Sequence, residues 1–503
     1  MAWLQPGETC WRVERADRAA FLVDTLAYFT AARQAMAKAQ RSILLLGWGF
    51  DPRTRLQPDG FEGPAEAPGE PDEIGNILIR LSHERPQLDI RVLIWRSALP
   101  ISASQHFFPH RAHEWFTGTR VHFRLDDAVP FGACHHQKVL VIDDQLAFCG
   151  GGDFSPDRWD TPAHLDQDSR RIDPGRSFHA PRHEMTMMVD GPAAAALGDL
   201  ARARWQRGTA ERLTPPALDP AEAHEHPWPQ GVRPDLTEVE VGVVRTQPSW
   251  RGRGEVREWQ ALTLRCIAEA RHCLYLENQY FTSPMVAEAL ARRLAEPDGP
   301  EILLVSTEAA PSYFDRITMD RARLLVLRRL RRADRYGRFR AFCPRTVRGR
   351  PIIVHSKVAI VDDDMVRIGS GNLNNRSGGF DTECELAVEA DRPATRHAIA
   401  RLRNHLIGHF LGRSAADVGA ALDRCGALID AVEVLRHGAR LHPIDPKPLG
   451  PLSRLIAAYH LGDPDGTWDS WRLDRRSRLL KSQAARIADG GSLSAPKLAS
   501  SFK

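Results

Sequence analysis

The chain has 503 residues, 43% of them hydrophobic and 26% charged, with a formal net charge of +4. This is the composition of a globular protein with room for two domains or one large duplicated unit. It excludes a disordered chain, and so small a charge spread over so many residues does not mark a nucleic-acid binder. No apolar run approaches the roughly eighteen residues that a membrane-spanning helix needs. The N-terminal stretch MAWLQPGETCWRVERADRAAFLVD carries charges where a signal peptide has an unbroken apolar core. The eight cysteines are scattered without a C-x-x-C pair, so buried free thiols in a reducing compartment are expected.

In chain order, AARQAMAKAQRSILLLGWGF predicts an amphipathic helix running into a buried strand. DPRTRLQPDGFEGPAEAPGEPDE follows as a surface insertion, and IGNILIRLSHERPQLDIRVLIWRSA as a second helix–strand pair. The strand CHHQKVLVIDDQLAFCGGGDF comes next, then a loop over 161–182, and then RHEMTMMVDG. RGTAERLTPPALDPAEAHEHPWPQGVRPDLT is Pro-rich and aperiodic. Beyond it the same order returns: LTLRCIAEARHCLYLENQYF, VAEALARRLAEPDGPEILLVSTEA, and the strand VHSKVAIVDDDMVRIGSGNL. This repetition predicts two homologous α/β halves. Residues 1–206 form the first half, 207–237 the connection and 238–410 the second half. Residues 411–503 are read as a mostly helical extension with a disordered tail.

The two motif strands each carry His-x-Lys-x4-Asp: His136, Lys138 and Asp143, then His355, Lys357 and Asp362, 219 residues apart. In a strand, residues i and i+2 share a face, so each His projects beside its Lys. Only seven of the 68 basic residues are lysines. A Lys kept in the interior of so Arg-rich a chain points to a compact ammonium facing phosphate. Phosphodiester transfer needs a nucleophile, a proton for the leaving oxygen, and positive charge for the non-bridging oxygens. Two imidazoles and two ammonium groups supply these without a metal, and no metal-ligand motif competes with them. Each imidazole needs an acceptor on its second nitrogen, for which Glu184 and Glu383 are the candidates. Asp143 and Asp362 fall where strand gives way to turn, so holding that turn is favoured over direct catalysis.

Together with GGGDFSPDRWDTPAHL, PRHEMTMMVDGPAA, LYLENQYF and HSKVAIVDDDMVRIGSGNLNNRSGGFDTE, these residues resemble the phospholipase D superfamily over roughly residues 20–410. The resemblance implies an α/β sandwich of two homologous halves with one active site at their interface, and a covalent phosphohistidine resolved by water or an alcohol. It implies a catalytic set of His136, Lys138, Asp143, His355, Lys357, Asp362, Glu184 and Glu383, with His136 as nucleophile and His355 as general acid. Asp153 and Asn372, at matching turns, are expected to line the phosphate site. No cofactor is implied. The expected partners are a phospholipid and its acceptor, with peripheral membrane contact, no nucleic acid, and a monomeric state. Hydrolysis or transphosphatidylation of glycerophospholipids is the leading function, with a cardiolipin synthase-like transferase and a nuclease as alternatives. The nuclease draws on the basic run 321–340, read instead as an amphipathic helix with solvated arginines. The expected location is cytoplasmic, with leaderless secretion as the alternative.

Overall fold

The computed structural model describes residues 2–58, 72–97, 109–217, 225–436, 440–445 and 462–464. The expected disordered tail, most of the first insertion and the middle of the Pro-rich connection lie outside them.

The first copy runs β1 (Arg12–Val23), α1 (Asp24–Lys38), β2 (Ser42–Gly47), α2 (Ile74–Glu84), β3 (Asp89–Trp95), α3 (Pro109–Trp115) and β4 (His122–Asp126). It continues through β5 (Val139–Ile142), β6 (Leu146–Gly150), β7 (Arg182–His183), β8 (Met185–Asp190) and α4 (Pro192–Thr209). The second copy runs β9 (Leu236–Gln247), β10 (Val256–Arg257), α5 (Glu258–Glu269), β11 (Cys273–Asn278), α6 (Pro284–Ala295), β12 (Glu301–Val305), α7 (Tyr313–Ala333) and β13 (Phe339–Pro344). There follow β14 (Ile353–Val354), β15 (Lys357–Val361), β16 (Met365–Gly369), a π-turn at Arg376–Phe380, β17 (Glu383–Glu389) and α8 (Pro393–Leu411). Helices α9 (Ala415–Cys425) and α10 (Leu428–Leu435) and strand β18 (Leu441–Pro443) complete the described chain.

The strands form one continuous mixed sheet ordered β18-β13-β12-β11-β15-β16-β17-β9-β1-β8-β6-β5-β2-β3-β4. Its midpoint is the antiparallel pairing of the two twelve-residue strands β1 and β9, in register from Arg12 opposite Val243 to Ala19 opposite Leu236. Outward from that seam the order is the same on both sides, so a pseudo-two-fold axis passes between β1 and β9. The segment beyond residue 411 is not helical throughout, because β18 adds an antiparallel edge to β13.

Strands β2, β5, β6, β8, β11 and β16 are buried at every position, as strands covered on both faces must be. One apolar cluster joins both halves through α4 and α8, while α1 with α2 and α5 with α6 cover the outer faces. Across the middle, the Cys149 thiol of β6 donates to the Cys384 carbonyl of β17 at 3.4 Å. Seven cysteines are buried, Cys425 is half-buried, and none is paired.

The basic run departs from its reading as a solvated face. Val326, Leu327 and Leu330 of α7 are buried, but so is Arg323, which donates to the Glu308 carbonyl at 2.8 Å and to the Ser306 hydroxyl at 3.2 Å. Arg329 pairs with Glu288 and Arg331 reaches the Ile444 carbonyl. These guanidinium groups tie the second half together.

Candidate active site

Each motif strand ends in a tight three-residue hairpin loop, 143–145 and 362–364. Asp143 and Asp144 have φ of 54° each, and Asp362 and Asp363 have φ of 52° and 60°. Two successive left-handed residues are the type I′ geometry that suits the twist of an antiparallel hairpin, and Asp tolerates it. The Asp143 carboxylate accepts the backbone N–H groups of Gln40, Arg41 and Ser42, each at 2.7 Å. Asp362 accepts those of Arg271, His272 and Cys273 at the equivalent loop. The carboxylates of Asp143 and Asp362, named in the expected catalytic set, are thus engaged in the turn-holding role that the sequence favoured for them. They sit at the far end of the strand from the histidines, and their oxygens are engaged in fixing the entry to β2 and β11.

At the other end the chain leaves its own sheet to bond with the opposite half. The His136 N–H donates to the Thr382 carbonyl at 3.0 Å, and the His355 N–H to the His183 carbonyl at 2.9 Å. Strands β7 and β14 pair in parallel, with Ile353 opposite Arg182 and Val354 opposite His183. The histidines thus lie in extended lead-ins to β5 and β15 rather than within paired strand.

The side chains repeat the crossing. His136 Nδ1 lies 2.9 Å from Glu383 of the second half, and His355 Nδ1 lies 2.8 Å from Glu184 of the first. A carboxylate on Nδ1 fixes the tautomer that leaves Nε2 free to react. Glu383 is itself held by the Ser370 hydroxyl and, at 2.6 Å, by the Ser377 hydroxyl. Lys138 and Lys357 each donate to the carbonyl of their own motif His, and Lys138 lies 3.3 Å from Asp153. Six sequence-predicted residues therefore meet in one cluster at the seam: His136, Lys138, Glu184, His355, Lys357 and Glu383.

Burial governs the electrostatics. Both imidazoles are held well below the usual histidine range, first by burial and then by the lysine of their own motif, with the other motif's lysine acting on both and Arg182 and Arg158 on His355. Burial also brings Lys357 down to about 7, against the pull of Glu184, and pushes Glu383 up to about 7, against its serine hydrogen bonds. Glu184 is likewise raised by burial and drawn back by Lys357, Arg182 and Arg158.

Asp153 and Asn372 are not equivalent. Asp153 accepts the N–H groups of Trp48 and Gly49 at 2.8 and 3.1 Å and faces Lys138, so its charge is used within the protein. Asn372 donates its backbone N–H to Ser377, and its buried Oδ1 has no hydrogen-bond partner among the described residues. Sequence reasoning passed over His183, Asp24 and Glu277. His183 bridges Asp24 at 2.8 Å and Glu277 at 2.9 Å, directly behind Glu184 and His355. The acid inside the apolar strand LYLEN and the His in PRHE were the available signals.

Gly151 sets the Glu184 position. A Cβ there would sit 2.3 Å from Glu184 Oε1 and 2.9 Å from the His355 carbonyl, closer than real contacts allow. Gly151→Ala is expected to lower turnover by about 10²-fold through loss of imidazole orientation, checked by steady-state kinetics on a variant with an unchanged circular dichroism spectrum.

The fold and site define a duplicated α/β protein in which two His–Lys pairs from opposite halves share one buried centre. The family model described as "Cardiolipin synthase, PLD-like domain" matches residues 263–406. Phospholipase D A of Dictyostelium discoideum is 23% identical over 432 residues, covering 73% of this chain and 32% of that protein. Cardiolipin synthase A of Pseudomonas putida is 28% identical over 331 residues, covering 63% of this chain and 57% of the synthase. The chain spans about a third of the first of these curated relatives and just over half of the second. Phosphatidylserine synthase of Haemophilus influenzae shares the fold, with a TM-score of 0.52 at 13% identity over 84% of this chain and 96% of that one. The matching family model and both curated relatives are phospholipase D-like proteins, and it is to these that the chain is similar. Among its described residues no helix is long and apolar enough to cross a membrane.

Proposed function

We propose that the protein is a phospholipase D-type phosphodiesterase acting on glycerophospholipids, transferring the phosphatidyl group to water or an alcohol through a phosphohistidine. The observation that carries this reading is the crossed pairing of His136 with Glu383 and His355 with Glu184, which leaves two Nε2 atoms beside two buried ammonium groups. His136 Nε2 attacks phosphorus and forms the N–P bond. The P–O bond to the headgroup breaks, and the departing oxygen takes the proton of His355 Nε2. An acceptor hydroxyl then returns its proton to His355 and attacks phosphorus, and the N–P bond breaks to release His136.

The depressed basicity of His136 keeps it neutral and nucleophilic at neutral pH. His355 gains its proton once the anionic phosphate offsets the field of Lys357, Arg182 and Arg158. Lys138 and Lys357 neutralise the non-bridging oxygens, and Asn372 lies on the same wall. Asp153 acts by holding Lys138.

The lipid substrate rests on the names of the relatives and on the LYLENQYF and RWDTP segments. A cardiolipin synthase-like transfer to a lipid alcohol is the second reading, favoured by the description of the family model and by the Pseudomonas putida relative. Incubation with mixed phosphatidylglycerol and phosphatidylethanolamine vesicles plus ethanol tests both. Phosphatidylethanol is the expected product, and cardiolipin without ethanol selects the synthase. Neither product, together with cleavage of single-stranded DNA, sinks the lipid reading.

The pH profile follows from the same groups. Protonated Lys357 is the working form, so kcat/KM, which reports the free enzyme, is expected to fall with rising pH around its value of about 7. The kcat limb lies higher, because bound phosphate favours the ammonium. Lys357→Arg, protonated throughout, is expected to lower the rate and remove that alkaline limb. On the acid side, protonation of Glu383, also near 7, removes the acceptor for His136 and closes the bell.

A further inference from the structure

Behind the seam, away from the reacting nitrogens, four buried side chains converge from distant parts of the chain. They are Asp24 at the start of α1, His164 in the loop after β6, His183 of β7 and His409 in the last turn of α8. One donor atom from each lies within 4.8 Å of all the others. His164 Nε2 and His409 Nε2 face each other at 2.8 Å, and both face Asp24 Oδ2, at 3.6 and 3.5 Å.

Hydrogen bonding alone leaves this group unfinished. One imidazole can donate to the other, but Asp24 Oδ2 then sits at or beyond hydrogen-bond reach of both. It is a buried carboxylate oxygen with no hydrogen-bond partner among the described residues. An orphaned charged oxygen in the interior is costly, and each such group calls for an explanation.

The surroundings are already arranged as an outer ring of supports. His164 Nδ1 lies 2.8 Å from the Asp160 carboxylate, which fixes the tautomer whose Nε2 lone pair points inward. The other oxygen of Asp24 accepts from His183 Nδ1 at 2.8 Å and from the Glu184 N–H at 3.3 Å. His183 is anchored in turn on Glu277. Carboxylates on the rear nitrogens of imidazoles, and hydrogen bonds on the spare oxygen of a carboxylate, are how metal ligands are held. Donors about 2.1 Å from a four-coordinate ion stand about 3.4 Å apart. The two Asp–His separations are close to that, and the two imidazoles need to part by only about half an ångström.

We propose that Asp24, His164 and His409 bind one divalent first-row transition ion, with zinc as the best fit for two imidazoles and a carboxylate and a water completing the four-coordinate shell. The site is structural. It pins α1 and the 155–181 loop of the first half to α8 of the second, and through the Asp24–Glu184 hydrogen bond it braces the carboxylate that orients His355. It takes no part in the phosphoryl chemistry and stands whether or not the lipid reading holds.

The test loads the full-length protein with Zn²⁺ or Co²⁺ and removes loosely bound ion by gel filtration. Close to one ion per chain is expected, with visible ligand-field bands for cobalt and a rise in the unfolding midpoint of roughly 5 °C. His164→Ala and His409→Ala lose the ion and the bands, whereas His136→Ala and His355→Ala keep both. X-ray absorption of the zinc-loaded wild type needs no variant, and a two-imidazole, oxygen-containing shell is expected. A folded wild type that retains no ion overturns the proposal. So does a shell containing sulfur, or an ion lost from His136→Ala and kept by the His164→Ala/His409→Ala double variant.

Discussion

Replacing His136 by Ala is expected to lower turnover of a natural phosphodiester by about 10⁴-fold or more, since it removes the nitrogen assigned to form the N–P bond. His355→Ala is expected to cost about 10² to 10⁴-fold, the range for a lost general acid. The two variants are told apart by the leaving group. A nitrophenolate departs without a proton, so a nitrophenyl phosphodiester restores most of the His355→Ala rate and none of the His136→Ala rate. The measurement is kcat/KM for both substrates on folded protein. Recovery in His136→Ala instead of His355→Ala would reverse the assignment, as the near two-fold symmetry of the seam permits. Equal recovery in both would overturn the nucleophilic step. Partial unfolding is controlled by the Glu383→Gln and Glu184→Gln variants, which keep the volume of the cluster.

Asp143→Ala is expected to destabilise the fold by about 3 kcal/mol, because it strips three N–H groups of a buried carboxylate acceptor and puts Ala at a left-handed position. Asp143 is 2% exposed, so water cannot replace the lost acceptor. The folded fraction should keep kcat within about threefold, as expected for a group whose loss acts on stability rather than on the chemical step. Urea unfolding followed by tryptophan fluorescence measures the first quantity, and active-site-normalised kinetics the second. A loss of kcat as large as that of His136→Ala, at unchanged stability, would return the motif Asp to the catalytic set. Asp362→Ala, on the equivalent loop, should behave alike with a smaller loss of stability, because its loop is more exposed.

Both expectations rest on local geometry that the sequence made legible to different degrees. The duplication was readable because both copies keep the same apolar runs around the same motif, and strands buried on both faces cannot hide their hydrophobicity. His136, Lys138, His355 and Lys357 stood out in the sequence because an i, i+2 spacing in extended chain puts His and Lys on one face. Arg323 of α7 was misjudged, since periodicity shows which positions are polar but not whether a carbonyl such as that of Glu308 waits inside for it.

By itself, then, the sequence determined the two α/β copies, the motif residues, and Glu184 and Glu383 as the carboxylates available to the imidazoles. Only the tertiary structure decided that each carboxylate serves the His of the other half, that Asp143 and Asp362 cap loops, and that Asp153 is used up on Lys138. It alone gathered Asp24, His164, His183 and His409 from four separate segments. The reason is physical: strand periodicity acts over a few residues and is written locally. Which half faces which is set by the β1–β9 seam and the burial it brings, which no local spacing encodes.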